Sequence, residues 1–149
     1  MEHIRFRGTD MGEDMIRDKV SVIVNEYNVT LDTLHKVTGV DVDWLSDYIE
    51  KRRALSDLPM EQYGLFFETV IALSEGIRLV SDDERIKGVI DVLVQVFGLT
   101  HDTISRYTGL AEQDIELFMR DPALVDCEKK YRLATKSMFL HYMFKAERR

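Results

Sequence analysis

Cysteine occurs once in the 149 residues, at Cys127, and proline twice, at Pro59 and Pro122. One cysteine excludes an internal disulfide framework, and the expected compartment is a reducing cytoplasm. Long apolar runs are also missing. The stretch Val89 to Gly98 is broken by Asp91 and Gln95, so no membrane span is expected. The first residues, with Glu2 and Arg5 and no apolar stretch, do not read as a secretory signal. The histidines His3, His35, His101 and His141 stand apart, without the clustered spacing that structural zinc requires, so neither a metal nor a cofactor is expected. No strand-like alternation is present, which excludes a glycine-rich phosphate loop following a strand. Cys127 has no neighbouring histidine to activate it, and no pair of carboxylates stands out for acid–base work. A non-enzyme without a small-molecule ligand is expected.

What the chain does have is acid, and enough apolar residues for a core. It is 45% hydrophobic, too much for a disordered chain, with a net charge of −7 that disfavours non-specific binding to phosphate backbones. The charge is unevenly spread. Residues 1–82 carry 9 basic and 16 acidic side chains, whereas 83–149 carry 11 of each, so any polyanion contact should favour the second half.

The dominant pattern is a repeat. Val22 to Glu50 lies on Val92 to Arg120 without a gap, at a constant offset of 70, with Thr30 on Thr100. The identical pairs include Val22/Val92, Asp32/Asp102, Thr33/Thr103, Thr38/Thr108 and Gly39/Gly109. Leu34/Ile104, Val40/Leu110, Leu45/Ile115 and Tyr48/Phe118 are equivalent in chemistry. A gapless match that preserves most of the apolar positions is what a duplicated helical unit should look like.

In chain order, residues 1–12 show no lasting period and read as a tail, with Ile4 and Phe6 available to pack. Ile16, Val20, Ile23, Val24 and Tyr27 recur at spacings of three and four, predicting a helix over 13–27. Thr30 caps a short helix with Leu34 and Val37 inward, Gly39 turns the chain, and Asp41 starts a helix burying Trp44, Leu45, Tyr48 and Ile49. A longer helix opens at Pro59 with Tyr63, Phe66, Phe67, Val70 and Ile71 on a broad apolar face, ending at Gly76. Ser81 and Glu84 form a capping-box signature for the second unit. There Thr100 and Gly109 repeat the cap and the turn, and Asp121-Pro122 closes the third helix. The last helix, Val125 to Ala146, repeats Tyr63, Phe66, Val70, Ile71 and Ser74 as Tyr131, Ala134, Met138, Phe139 and Tyr142, at an offset near 68. Leu140, Met143 and Phe144 are then surplus, and either pack on the first unit or form a subunit contact.

The expected fold is an all-α, internally duplicated helical bundle. A tail, 1–12, precedes a first unit, 13–76, with a helix-turn-helix at 30–50. A second unit, 81–146, has its helix-turn-helix at 100–120. The two units are expected to share one core and to be related by a pseudo-twofold axis.

A short capped helix, a turn with glycine at its centre and a second helix with fixed apolar positions make the helix-turn-helix pattern. Ile104, Gly109, Leu110, Ile115 and Phe118 occupy its buried and turn positions, with Ser105 as the small residue after Ile104. In the first copy Leu34, Gly39, Val40, Val42, Leu45 and Tyr48 fill the matching places, and His35 stands where the small residue belongs. On these residues the chain resembles bacterial helix-turn-helix proteins of the transcriptional-regulator kind, in tandem.

That resemblance implies DNA reading by the third helix of each unit. Its groove-facing positions would be Asp41, Val42, Asp43, Ser46 and Asp47 in one copy, and Ala111, Glu112, Gln113, Glu116 and Leu117 in the other. The residues argue against it. Residues 41–50 hold four acids and no base, and 111–120 hold three acids and Arg120, whereas duplex recognition relies on Lys and Arg at phosphates and on Arg, Asn or Gln at base edges. Two readings follow. One is a regulatory protein acting on a protein partner or as a homodimer, with Leu140, Met143 and Phe144 as its contact surface. The other is a DNA-binding regulator using Gln113, Arg120, Lys129, Lys130, Arg132 and Lys136. The remaining basic groups, Lys51-Arg52-Arg53 and Lys145, Arg148 and Arg149, read as a helix end and a tail.

Overall fold

The computed structural model describes residues 8–146, apart from the side chains of 8–11, 14 and 146. Ile4, Phe6, His3, Arg148 and Arg149 lie outside the described residues. The chain divides into two compact units between Leu79 and Val80. The protein is all-α: among the described residues there is no strand, and no helix is long and apolar enough to cross a membrane.

The first unit comprises α1 (Gly8–Asn25), α2 (Leu31–Thr38), α3 (Val42–Ile49) and α4 (Met60–Ile71). A 3-10 turn (Leu55–Asp57) precedes α4, which runs on through a π-helical turn (Ala72–Gly76) and a last α turn (Ile77–Leu79). Ile16, Val20 and Ile23 of α1, Leu34 of α2, Leu45 and Tyr48 of α3, and Phe66 and Val70 of α4 form one buried cluster. Arg17 is buried with them. Its Nε donates to the Tyr48 carbonyl at 2.7 Å, and its guanidinium lies 4.7 Å from the centroid of the Tyr48 ring. A cation thereby adds a donor to a carbonyl at the end of α3 that also accepts from the Lys51 N–H at 3.1 Å, where cations suit the helix dipole.

The second unit comprises α5 (Asp82–Gln95), α6 (His101–Thr108), α7 (Glu112–Arg120) and α8 (Cys127–Ala146), with a 3-10 turn (Pro122–Leu124) before α8. Its buried cluster is Ile90, Ile104, Leu110, Ile115, Phe118, Val125 and Leu133. Fully burying one such side chain contributes roughly 2 kcal/mol, against about 1 kcal/mol for a cap. The apolar pattern therefore decides the fold, and the caps decide where helices begin.

The turns of the two units are built alike, bond for bond. Thr30 and Thr100 each accept from the backbone N–H three residues on, both at 3.1 Å. Asn28 and Gly98, 70 residues apart, both take left-handed backbone with φ of 56° and 74°. Asn and Gly are the residues that tolerate that region. Gly39 and Gly109 do the same at the helix-turn-helix corner, with φ of 75° and 73°. Thr38 and Thr108, both buried, donate to the Leu34 and Ile104 carbonyls (2.6 and 2.8 Å) and accept from the Val40 and Leu110 N–H groups (both 3.2 Å).

Several expectations need correction. Helix α1 starts at Gly8, inside the stretch read as a tail. Gly8 and Gly12 lower helix propensity, but extending an existing helix avoids the cost of nucleation. It ends at Asn25, leaving Tyr27 outside it and exposed. Val37 points outward, because Thr38 takes the inner position of α2. Gly76 does not end α4. The helix accommodates an extra residue in its π turn, where buried Ser74 donates to the Val70 carbonyl at 2.6 Å. Tyr63 and Phe67 lie exposed and stacked on each other, 6.1 Å apart.

The largest correction is in α8. Its inward residues are Leu133, Ser137 and Leu140, while Tyr131, Met138, Phe139 and Tyr142 face out. The buried positions match those of α4 at an offset of 67, Phe66 on Leu133 and Val70 on Ser137. Ser137 is tolerated inside because its hydroxyl donates to the Leu133 carbonyl at 2.7 Å. A helix apolar on both sides gives periodicity no direction to choose.

Candidate functional site

The third helix of each unit is held from below by the core and from its N-terminal side by the glycine turn. Leu45 and Tyr48 anchor α3, and Ile115 and Phe118 anchor α7. Above that anchor, α7 presents Gln113, Glu116 and Arg120, all exposed and spaced three and four apart. The matching positions are Asp43 and Ser46 of α3 and Glu50 just after it. One stripe is neutral in sum, and the other carries two carboxylates and no base.

The difference at His35 does not disturb the corner. Its Nδ1 lies 2.9 Å from the Val40 carbonyl, and in the second unit the Ser105 hydroxyl donates to the Leu110 carbonyl. His35 itself leans into solvent, so its bulk stays outside the crossing of α2 and α3.

Most of the basic residues that could grip a phosphate backbone already hold a carboxylate. Lys129 Nζ sits 3.0 Å from Asp114 of α7, Lys130 3.1 Å from Asp83 of α5, and Arg132 3.3 Å from Glu128. The hydrogen bond and the charge of Asp114 hold the Lys129 ammonium above its ordinary value of 10.5. Arg52 and Arg53 fold back on Asp47 at 3.5 and 3.9 Å, and Arg52 also pairs with Glu50. Of the residues expected at DNA, Gln113, Arg120 and Lys136 are exposed and lack an ion pair among the described residues.

The three residues expected to form a contact surface are not together. Leu140 is buried, and Phe144 stacks on Phe97 at 5.5 Å, which leaves Met143 as the exposed member. The exposed apolar face of α8 is made instead by Tyr131, Met138, Phe139, Tyr142 and Met143. The sequence carried that signal as a surplus of apolar residues, but the one-residue shift between offsets 68 and 67 placed it on the wrong side. Among the described residues no three His, Cys, Asp or Glu side chains group as metal ligands.

Comparison with known proteins identifies a family. The sequence profile described as a helix-turn-helix domain matches residues 11–149, spanning both units. No curated protein and no solved structure gave a match. The two corners at Gly39 and Gly109, each between a capped short helix and a core-anchored one, lie within the matched span. The chain belongs to the helix-turn-helix domain family.

Proposed function

We propose that this chain is a non-enzymatic regulatory protein that acts through protein–protein contact on a duplicated helix-turn-helix scaffold. The observation carrying this reading is the charge of the third helices. The outward stripe of α3 is Asp43 and Ser46, continued by Glu50 just after it, and the lysine nearest α7 is already bonded to Asp114. A duplex approaching α3 would meet carboxylates that have to be stripped of water beside phosphates, and the cations at the end of that helix, Arg52 and Arg53, are already engaged by Asp47 and Glu50. Exposed aromatic side chains on α4 and α8 fit the alternative of a protein surface, since contacts between proteins favour Tyr, Phe and Met. The single cysteine fits a reducing cytoplasm.

A second reading is favoured by Gln113 and Arg120, exposed together on α7. Here the second unit alone reads DNA, with Lys136 and the other basic groups of α8 at the backbone. A mobility-shift assay on mixed genomic DNA separates the two. At about 50 mM salt, where non-specific binding is strong, the protein-contact reading expects no retardation. Retardation that weakens as salt rises, and is lost on Arg120→Ala, would overturn it.

A further inference from the structure

The outward side of α8 is spaced like a seam. Glu128, Tyr131, Thr135, Met138, Tyr142 and Lys145 are all exposed and recur at alternating intervals of three and four, the a/d spacing of a heptad. That is the period of helices that pack along their length. The inward side of the same helix already closes the second unit's core through Leu133, Ser137 and Leu140. Two apolar faces on one helix mean that the outer one has no partner within its own unit.

The order of residues along this seam fits one occupant. Laid antiparallel on itself about the midpoint between Lys136 and Ser137, the seam sets Glu128 opposite Lys145, Tyr131 opposite Tyr142 and Thr135 opposite Met138. The two ends thus carry opposite charge, with Glu128 also holding Arg132 of its own helix, and Tyr131 and Tyr142 flank a centre of Thr135 and Met138, which is the self-complementarity a twofold interface needs. Tyr131 is 74% exposed, Tyr142 70% and Phe139 61%. At roughly 200 Å² for each large side chain, the seam residues Tyr131, Met138 and Tyr142 together with the flanking Phe139 and Met143 expose about 600 Å² per chain. Two copies would bury about 1,200 Å², the lower edge of a specific interface.

We infer that α8 is a homodimerisation helix, pairing antiparallel with α8 of a second copy through Tyr131, Met138 and Tyr142. This rests on the protein-contact reading and names its partner as the chain itself. Pairing of this area gives a micromolar association, because buried area alone does not make an interface tight.

The test is sedimentation velocity on the full chain at about 100 µM, well above a micromolar Kd. The expected mass is twice 17.4 kDa. Tyr142→Glu, which alters an exposed side chain and should leave the helical circular dichroism unchanged, is expected to weaken association at least 100-fold. Lys145→Glu is expected to weaken it several-fold, and adding Glu128→Lys to Lys145→Glu to restore it. A wild-type monomer overturns the pairing, as does a dimer indifferent to Tyr142→Glu or one lost on Phe67→Glu of α4 instead. A monomer that leaves DNA unretarded overturns the pairing alone, and a monomer that retards DNA overturns the protein-contact reading with it.

Discussion

Lys129 Nζ lies 3.0 Å from Asp114 Oδ1, joining the first turn of α8 to the first turn of α7. A lysine in position to meet a phosphate is thereby spent on an acid of the helix that would have to read the bases. The pair has a pH signature. The Lys129 ammonium is held above its ordinary 10.5 by the hydrogen bond to Asp114 and by that carboxylate's charge. A raised folded-state value means that the pair's contribution is fully present below the unfolded lysine's value and is lost as pH climbs through the folded one. Thermal melts across that alkaline range should lose this part of their pH dependence in Asp114→Asn. An identical profile in both proteins would contradict it.

Gly39 and Gly109 should respond alike to substitution by alanine. Both sit at positive φ, Gly39 has open space where a Cβ would go, and at Gly109 the nearest atom is Arg132 Nη1 at 4.0 Å. The strain is thus conformational, at about 1–2 kcal/mol each. Urea denaturation measures it, and a loss confined to one of the two sites would contradict the equivalence of the corners.

Thr38 and Thr108 each bridge a helix carbonyl to the N–H two residues on, inside the corner. Valine has the same shape and no hydroxyl, leaving a buried N–H unpaired. Thr108→Val is expected to cost about 1–3 kcal/mol, while Thr108→Ser keeps the bonds and most of the stability. Equal stability of the valine and serine variants would show that the bridge does not contribute.

His35 and Ser105 reach equivalent carbonyls with different side chains. His35→Ser should therefore be tolerated, with a change within about 0.5 kcal/mol by chemical denaturation. A loss several times larger would mean that the imidazole packs in a way the shared bond does not explain.

The corners were legible in the sequence because short-range chemistry fixes them. Thr30, Gly39 and their counterparts act within a few residues of themselves, and Leu34, Leu45 and their counterparts are buried where the spacing puts them, with Val37 the apolar residue that turns out instead. The fourth helices were harder. Tyr63, Phe67, Tyr131 and Phe139 look like core residues by composition, yet each is exposed, and the inward face of α8 includes Ser137. Which side of a two-faced helix turns inward is decided by the elements packed against it, and no local residue pattern records that. Pairing was illegible for the same reason. Lys129 and Lys130 read as a free basic edge until Asp114 and Asp83 are brought beside them by the fold.

Contact of the third helices with DNA separates the two functions. Fluorescence anisotropy of a labelled mixed-sequence duplex, titrated with the full chain at about 50 mM salt, addresses this directly. The predicted result is no saturable binding into the range of about 100 µM, where even weak non-specific binders are occupied. Micromolar binding whose affinity falls steeply with salt, and which Gln113→Ala and Arg120→Ala abolish, would contradict it.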